Sequence, residues 1–200
     1  MNVRNGFNSA LRALRDAQAP DSLAKAVYDR LGMRDSFVRM ATEIGGVYVA
    51  YGKSGVVAVR RAKDAAAYAA WHAREFGREP KLERKPDAAL LERLRRSLSG
   101  TRAARVRVDL RGLTGFQRAV LEKTREIPRG QVRPYAWVAE QIGHPDAVRA
   151  VGSALAKNPV PLLIPCHRVV RSDGSVGHYI FGSPAKRALL AFEGAQYRAR

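Results

Sequence analysis

Along the first half of the chain, the apolar positions first show the two-residue spacing of strands and, further on, the spacing of helices. Residues 47–49 and 56–59 are rich in valine, and between them lies the sequence GKSG at 52–55. Apolar, β-branched runs on either side of a glycine-rich loop are typical of an antiparallel hairpin. The pattern therefore predicts two paired strands joined by a four-residue loop.

Helical and strand patterns alternate in the residues that follow. Segments 64–76 and 88–98 have the composition of helices, whereas residues 104–110 alternate apolar with charged side chains, as a half-buried strand does. We therefore expect a mixed α/β domain over residues 36–112. The preceding residues, 1–35, predict a helical leader whose role the sequence does not give.

The character of the chain changes after Gly112. Thr114 and Gln117 have the spacing of a capping box, in which each side chain bonds the backbone of the other residue at the start of a helix. The sequence PRG at 128–130 ends this helix. We therefore place a domain boundary near residue 112 and a mainly helical second domain over residues 113–200.

Two further helices are predicted in the second domain, at 135–142 and 146–157. The sequence GHP at 143–145 turns the chain between them, and Pro145 suits the first turn of the second helix. Two short helices joined by a tight turn are the helix-turn-helix arrangement, whose second helix can lie in a DNA groove. The alternative is that the two helices simply pack together.

The charge of the chain adds a candidate partner. It has 36 Lys plus Arg against 18 Asp plus Glu, a formal net charge of +18. A field of this sign attracts polyanions and favours nucleic acid as partner, with basic residues that only keep the protein in solution as the alternative. The apolar stretches are far shorter than the roughly 20 residues that cross a bilayer, so no membrane span is expected.

Cys166 is the only cysteine, which excludes an internal disulfide and multi-cysteine zinc sites. The four histidines have no helical pair at metal spacing. We therefore expect neither a metal nor another cofactor, and a reducing, intracellular setting.

An apolar, proline-rich stretch, NPVPLLIP at 158–165, leads to Cys166, and His167 and Arg168 follow it. A thiol attacks as its thiolate, and a neighbouring imidazole or cation can lower the thiol pKa. His167 and Arg168 are therefore candidates to activate Cys166, although the residues alone favour a buried, inert thiol.

Several ordered motifs resemble those of one known family. The sequence IPCHRV at 164–169 resembles the active-site signature of the O6-alkylguanine-DNA alkyltransferases, also called methylated-DNA protein-cysteine methyltransferases. The other matches are Tyr135, RAVG at 149–152, NP at 158–159, VGHY at 176–179, KRALL at 186–190 and EG at 193–194. The resemblance runs from about residue 115 to 194, whereas the first 110 residues match only in layout.

The resemblance implies a ribonuclease-like α/β N-terminal domain and a mainly α, winged-helix-like C-terminal domain with a helix-turn-helix. It implies direct-reversal DNA repair, in which an alkyl group moves from O6-alkylguanine, or from O4-alkylthymine as a second lesion, to Cys166. Each molecule reacts once, because the thioether product is not reversed. The implied partner is double-stranded DNA containing the lesion, bound by a monomer in the cytoplasm, at the nucleoid or in a nucleus.

The resemblance also assigns roles within the site. Glu193 is implied to hold His167, which takes the proton of Cys166 through a water. Tyr135 is implied to protonate the leaving guanine and to help turn the nucleotide out of the duplex. Arg149 is implied to fill the gap that the nucleotide leaves.

Further residues are implied to bind the DNA or the base. Asn158 ties the reactive segment to the recognition helix, and the Val169 carbonyl accepts a hydrogen bond from the base. The other implied contacts are Ala150, Tyr179 and Lys186. The sequence departs from the family at Ile180 and Phe181, where relatives often carry a polar residue that bonds the alkylated oxygen, so the pocket wall is expected to be bulkier and drier.

Three alternatives from other classes remain. One is a protein of the same fold that binds alkylated DNA without transfer, but such relatives carry tryptophan in place of the cysteine. The second is a helix-turn-helix regulator with a structural cysteine. The third is a Cys-His hydrolase in which Glu193 orients the histidine.

Overall fold

The computed structural model describes residues 34–99 and 106–198. The residues from Asp35 onward form one compact unit. Apart from its last two residues, the predicted leader at 1–35 lies outside the described residues. None of the helices described is long and apolar enough to cross a bilayer.

Four strands form one sheet in the order β3, β2, β1, β4. They are β1 (Ser36–Thr42), β2 (Gly45–Gly52), β3 (Gly55–Arg60) and β4 (Lys81–Leu82). β2 pairs antiparallel with both β1 and β3, and β4 adds in parallel to β1. The predicted hairpin is confirmed, but its loop has two residues rather than four, because Gly52 and Gly55 pair with each other.

Two helices accompany the sheet, α1 (Ala65–Phe76) and α2 (Ala88–Leu98). Each begins after an aspartate whose side chain accepts a backbone N–H three residues further on, Asp64 from Ala67 and Asp87 from Leu90, both at 2.7 Å. Such caps satisfy amide groups that have no partner within the helix. Both helices agree with the predicted segments to within one residue.

Different partners cover the two faces of the sheet, because side chains alternate along each strand. One face carries Phe37 and Tyr48, which pack with Tyr68 of α1. The other face carries residues such as Val38, which share a core with Leu94 of α2 and with apolar residues of the second half. This larger core also contains the reactive cysteine.

Residues 106–110 fit the predicted strand only in part, and its first two residues lie outside the described range. Val106 and Leu110 are buried, as the alternation requires. Pairing is limited to one parallel bridge between Val56 and Val108. The amide of Val56 donates to the carbonyl of Arg107 at 2.9 Å, and the amide of Asp109 donates to the carbonyl of Val56 at 2.8 Å. The prediction of a regular strand here is therefore wrong.

The second half is mainly helical. Its helices are α3 (Gly115–Glu126), α4 (Tyr135–Gln141), α5 (Val148–Ala156) and α6 (Ser183–Phe192). The predicted capping box is present: Gln117 N donates to Thr114 Oγ1 at 3.3 Å, and Thr114 N donates to Gln117 Oε1 at 3.1 Å. An α/β first part and a mainly helical second part are thus confirmed.

The start of α5 differs from the prediction. The helix begins at Val148, two residues later than expected, and Pro145 lies before it rather than in its first turn. The amide of Ala147 donates to the carbonyl of His144 at 2.9 Å, which closes a β-turn with proline at its second position. Proline favours that turn position because its ring already fixes the required φ.

Two short strands bring the start of α4 beside the segment that contains Cys166. β5 (Arg133–Pro134) pairs in parallel with β6 (Val169–Val170). A 3-10 helix (Cys166–Arg168) directly precedes β6, and α4 begins at Tyr135, directly after β5. This pairing therefore places Tyr135 and Cys166 in the same part of the molecule.

Candidate active site around Cys166

Cys166 lies at the wall of a cavity of about 580 Å³. The residue is 5% exposed, and Asn158 Nδ2 donates a hydrogen bond to its Sγ at 3.2 Å. Ligand pockets of small molecules have volumes of this order. The sulfur is therefore placed to meet a group of nucleobase size that enters the cavity.

Asn158 also braces a strained turn before the cysteine. Leu162 has a φ of +77°, a left-handed conformation that costs a residue with a side chain about 1–2 kcal/mol. The Asn158 side chain accepts from Val160 N at 3.1 Å and donates to Ile164 O at 3.0 Å. The side chain of Asn158, two residues after the end of α5, thus hydrogen-bonds to both sides of the turn and to the sulfur of Cys166.

Burial raises the pKa of the Cys166 thiol, and the hydrogen bond from Asn158 and the charge of Lys186 oppose this only in part. His167 and Arg168, the neighbouring candidates in the chain, are not among the groups that lower this pKa. Removal from water penalises the thiolate, and Arg168 is engaged elsewhere. The thiol is therefore protonated at neutral pH, and a thiolate forms only where a base removes its proton.

His167, Arg168 and Glu193 form a second buried set of polar side chains. His167 Nε2 lies 3.1 Å from Glu193 Oε1. Arg168 donates to the two carboxylate oxygens of Glu193 at 2.8 and 2.6 Å, and to the carbonyl of Ile127 at 2.7 Å. The carboxylate therefore orients the imidazole, and the guanidinium fixes the carboxylate.

Burial and the ion pair together set the charges of this group. Burial raises the pKa of Glu193, but the hydrogen bonds and charges of His167 and Arg168 outweigh it and lower the pKa to about 2. Burial, together with the charges of Arg168 and Lys186, lowers the pKa of His167 by more than Glu193 raises it. At neutral pH the carboxylate is ionised and the imidazole neutral, so the imidazole can accept a proton.

The proton acceptor of the imidazole is Nδ1. Since Nε2 of His167 faces a carboxylate, that nitrogen carries the hydrogen and Nδ1 carries the lone pair. Nδ1 is buried and has no hydrogen-bond partner among the described residues. It is therefore available to a reacting group or to a bridging water.

Lys186 is fully buried and links two segments near the cavity. Its Nζ donates to Val169 O at 2.6 Å and to His178 O at 3.4 Å, and lies 5.9 Å from the centre of the Tyr135 ring. Burial lowers the pKa of Lys186 to about 8, opposed by the charge of Cys166. The ammonium is thus held by carbonyl groups in the apolar surroundings of the thiol.

Two tyrosines contribute to the lining. A Cβ at Gly177, whose φ is +65°, would lie 3.1 Å from the Tyr135 hydroxyl oxygen, so this glycine leaves the phenol its space. Burial raises the pKa of Tyr135. The hydroxyl of Tyr179 is buried and has no hydrogen-bond partner within residues 34–99 and 106–198, and its ring lies edge-on to His167 at 6.1 Å.

The cavity collects some of the predicted residues. It is lined by Tyr135, Val148, Arg149, Gly152, Ser153, Leu155, Ala156, Cys166, Arg171, Gly177, His178, Tyr179 and Ile180. Ala150 is exposed on α5 outside this lining, and Phe181 instead packs on Tyr179 and under the guanidinium of Arg61, at 5.6 Å. The remaining predicted residues are buried or half-buried outside the lining: Asn158, His167, Val169, Lys186 and Glu193.

Sequence reasoning missed three features of the site. Arg168 was a candidate to act on the thiol, but it binds Glu193, which lies 25 residues away in the chain. Gly177 and Arg171 both line the cavity. Gly177 belongs to the VGHY match at 176–179 but was given no role, and closeness to Cys166 in the chain was the only signal for Arg171. In the part of the chain that is described, no group of three His, Cys, Asp or Glu side chains is placed to hold a metal ion.

Comparison with known proteins finds relatives of the second half. Residues 115–195 match the family described as 6-O-methylguanine DNA methyltransferase, DNA binding domain. The chain is 53% identical over 81 residues, 40% of its length and 38% of the relative's, to the methylated-DNA–protein-cysteine methyltransferase of Mus musculus. It is 46% identical over 87 residues, 44% of its length and 48% of the relative's, to the protein of the same name from Methanothermobacter thermautotrophicus. The chain thus spans less than half the length of these two curated relatives.

A solved structure extends the similarity to most of the chain. The fold is similar to the crystal structure of Mycobacterium tuberculosis OGT in complex with DNA, with a TM-score of 0.65 and 30% identity, over 80% of this chain and 92% of that one. The similarity therefore includes the first half, which the sequence matched only in layout. The resemblance is confirmed, and the chain belongs to the family of O6-alkylguanine-DNA alkyltransferases.

Proposed function

We propose that the protein repairs alkylated DNA by direct reversal, moving the alkyl group of O6-alkylguanine, or of O4-alkylthymine as a second lesion, to Cys166. The observation that carries the proposal is the thiol at the cavity wall, adjacent in the chain to a buried imidazole that Glu193 orients. Relatives named methylated-DNA–protein-cysteine methyltransferase support it. The substrate is double-stranded DNA with the lesion, bound by a monomer in the cytoplasm or at the nucleoid.

The two parts of the fold divide this work. We infer a boundary near residue 112 between a ribonuclease-like α/β domain at 36–112 and a winged-helix-like domain at 113–200. The four-stranded sheet with its helices supports the first, and the packing of α4 on α5 supports a helix-turn-helix in the second. In this arrangement α5 is the recognition helix, and the leader at 1–35 has no assigned role.

The lesion has to leave the duplex before it can react. Stacking shields an alkylated oxygen from any side chain, and turning the nucleotide out costs a few kcal/mol. Arg149 and Ala150 are exposed in the first turn of α5, the part of a recognition helix that approaches DNA. Arg149 fills the gap in the duplex, Ala150 contacts the DNA, and Tyr135 helps to turn the nucleotide into the cavity.

The first chemical step removes the thiol proton. Because burial keeps Cys166 protonated, the neutral imidazole of His167 takes the proton through a bridging water. The imidazolium that forms is stabilised by the ionised Glu193, 3.1 Å away. The buried ammonium of Lys186 and the amide of Asn158 stabilise the thiolate.

The second step transfers the alkyl group. The thiolate attacks the alkyl carbon in line, so a sulfur–carbon bond forms while the carbon–oxygen bond breaks and its electron pair passes to the base. Tyr135 donates its proton to a ring nitrogen, so guanine leaves neutral, and the imidazolium proton later restores the phenol. The carbonyl of Val169 and the ring of Tyr179 position the base. The thioether is stable, and each molecule repairs one lesion.

Intact-protein mass spectrometry tests this function. The protein is mixed with a duplex that carries one O6-methylguanine, and we expect Cys166 to gain the mass of one methylene while the lesion becomes guanine. A second portion of substrate should remain unrepaired, because the thiol has been consumed. Loss of the lesion from many duplexes per protein molecule would instead indicate a hydrolase, and a persisting lesion with unmodified protein would contradict the proposal.

The matched control is Cys166→Ala. This variant should bind the same duplex with unchanged affinity and gain no mass, because it lacks only the nucleophile. Mass gain by the variant would show that another residue accepts the alkyl group. Binding without transfer by the unaltered protein would favour a lesion-binding protein or a regulator.

A further inference from the structure

Arg171 is a guanidinium on the cavity wall that the proposed chemistry does not use. It directly follows β6, is exposed, and belongs to the cavity lining. A tight turn fixes its backbone: its amide donates to Ser175 O and its carbonyl accepts from Gly174 N, both at 2.9 Å. Its guanidinium makes neither a hydrogen bond nor an ion pair within the described residues, although, besides the hydrogen bonds from Ser175, its charge lowers the pKa of the nearby exposed Asp173.

The charge around the cavity is of one sign. Arg149 and Arg171 both line it, one on α5 and the other on the loop after β6, and no described Asp or Glu belongs to the lining. An arginine without a carboxylate partner keeps its hydrogen-bond donors for a ligand. A rim of this kind favours an anionic group.

The position of Arg171 relative to Tyr135 fixes where that anion would lie. A Cβ at Gly177 would be 3.6 Å from Arg171 Cγ and 3.1 Å from the Tyr135 hydroxyl oxygen, so the arginine stem and the phenol border the same glycine. The charge of Arg171 lowers the pKa of Tyr135, against the larger effect of burial. The guanidinium is therefore near the phenol at the place where a nucleotide would enter.

We propose that Arg171 binds a backbone phosphate of the DNA next to the nucleotide that enters the cavity. The inference rests on the proposed function, because an extruded nucleotide stays joined to the strand through a phosphate on each side and carries both towards the rim. A guanidinium binds phosphate through two parallel hydrogen bonds. Since Arg149 is committed to the gap in the duplex, Arg171 is the remaining lining cation for this phosphate.

The salt dependence of DNA binding gives the first test. Arg171→Ala is compared with Arg84→Ala, which removes the same charge from an exposed position outside the cavity lining. For a duplex with one O6-methylguanine, the slope of log affinity against log salt should become shallower by about 0.9 in Arg171→Ala, the value for one lost phosphate contact. The slope of Arg84→Ala should equal that of the unaltered protein.

Neutralising single phosphates of the DNA identifies the partner. Duplexes carry one uncharged methylphosphonate at each position around the lesion in turn. At one position beside the lesion, the change should weaken binding of the unaltered protein about tenfold, as expected for a charged hydrogen bond, and weaken Arg171→Ala less than about twofold. If the loss of affinity caused by the methylphosphonate and the loss caused by Arg171→Ala multiply at every position, the two changes act independently and the proposal is overturned.

A substrate without phosphates separates binding from chemistry. O6-Methylguanine as the free base should alkylate Arg171→Ala at close to the rate of the unaltered protein, whereas the duplex should react with the variant more slowly, because only the duplex has a phosphate to bind. An equal slowing of Arg171→Ala on the free base and on the duplex would show that Arg171 acts on Tyr135 instead, and would overturn the phosphate role. If the unaltered protein transfers no alkyl group at all, the proposed function fails, but the salt slope and the methylphosphonate series still decide whether Arg171 holds a phosphate.

Discussion

Two buried carboxylates each lie beside a histidine and an arginine, yet only one of these groups lies beside the thiol of Cys166. The Asp35 group consists of Asp35, His72 and Arg78, and the Glu193 group consists of Glu193, His167 and Arg168. Asp35 lies 3.2 Å from the Nε2 of its histidine, and Glu193 lies 3.1 Å from the Nε2 of its own. Both carboxylate side chains are 4% exposed. His167 Nε2 makes a hydrogen bond to its carboxylate, whereas His72 Nε2 has no hydrogen-bond partner in the described residues. The two groups are therefore alike in composition and distance but not in bonding.

The two groups differ on the far side of the imidazole. His72 Nδ1 lies 3.1 Å from the carbonyl of Arg78, and its ring packs on Phe76, with centroids 4.6 Å apart. Nδ1 of His167 has no such partner in the described ranges, and the preceding residue in the chain is Cys166. A buried carboxylate, histidine and arginine thus form a structural tie in one place. The Glu193 group has the same three residue types, but its imidazole lone pair lies beside a thiol and a cavity, so this group can take part in chemistry.

Replacing the two histidines gives the largest expected difference. His167→Ala should slow transfer about 10²- to 10⁴-fold, the usual contribution of a general base. His72→Ala should leave the transfer rate of the folded protein within about twofold while lowering the free energy of unfolding by about 2–4 kcal/mol, because a fully buried ring is lost beside Asp35. Single-turnover transfer rates and urea unfolding of both variants measure the two effects.

Equal loss of transfer in both variants would break the comparison, because His72 would then support the reaction through the sheet. Rescue of His167→Ala by added imidazole would sharpen it. Imidazole can replace the missing base, whereas it cannot replace the packing of His72. The folded fraction of each variant, followed by circular dichroism, corrects the rates for unfolding.

Local hydrogen-bond chemistry made part of this fold predictable from sequence. The capping box of Thr114 and Gln117 and the hairpin at 52–55 depend on residues close together in the chain, so their patterns are visible. The two-residue pairs of β4 with β1 and of β5 with β6 carry no pattern, because two residues show no alternation. The left-handed conformation of Leu162, with a φ of +77°, could not be predicted either, because leucine disfavours that conformation.

The site was predictable only in so far as motifs resembled a family. Cys166, His167 and Glu193 were named in this way, and composition alone favoured an inert thiol. The motifs did not predict which side chains bind each other in the folded protein. Arg168 binds Glu193 rather than acting on the sulfur, and Asp35 forms a group of the same composition that no motif marks. Burial, which raises the pKa of the thiol, is likewise a property of the folded chain.

The second prediction concerns the pH dependence of stability. The pKa of Glu193 falls from 4.5 to about 2 in the folded protein, since the contacts with His167 and Arg168 outweigh burial. At about 1.4 kcal/mol for each pKa unit, the carboxylate contributes up to about 3 kcal/mol of stability. Because the folded pKa is the lower one, this contribution is present above pH 4.5 and is lost as the pH falls towards 2.

Urea unfolding between pH 7 and pH 3 measures this contribution. Glu193→Gln should be less stable at pH 7, and its difference from the unaltered protein should shrink below pH 4.5. A difference that stays constant with pH would mean that the variant loses packing rather than an ion pair. The expected loss of transfer in Glu193→Gln, absent from Asp35→Asn, would separate the two groups again.

The smallest expected effect tests the tyrosine beside each imidazole. The ring centroids of Tyr179 and His167 are 6.1 Å apart, and those of Tyr68 and His72 are also 6.1 Å apart. Tyr179→Phe removes a buried hydroxyl without a partner in the described part of the chain, so we expect unfolding to cost about 0.5–1 kcal/mol more.

Transfer rates of Tyr179→Phe and Tyr68→Phe complete this test. Tyr68→Phe should leave transfer unchanged, because its ring belongs to the aromatic cluster on the sheet. Tyr179→Phe should slow transfer no more than about threefold, less than the loss of one hydrogen bond in a reacting complex. A larger loss would mean that the Tyr179 hydroxyl bonds the base once the cavity is filled. The hydroxyl of Tyr68 is likewise buried without a hydrogen-bond partner in the described residues, so a loss of transfer in Tyr179→Phe alone would show that only the hydroxyl beside Cys166 serves a substrate.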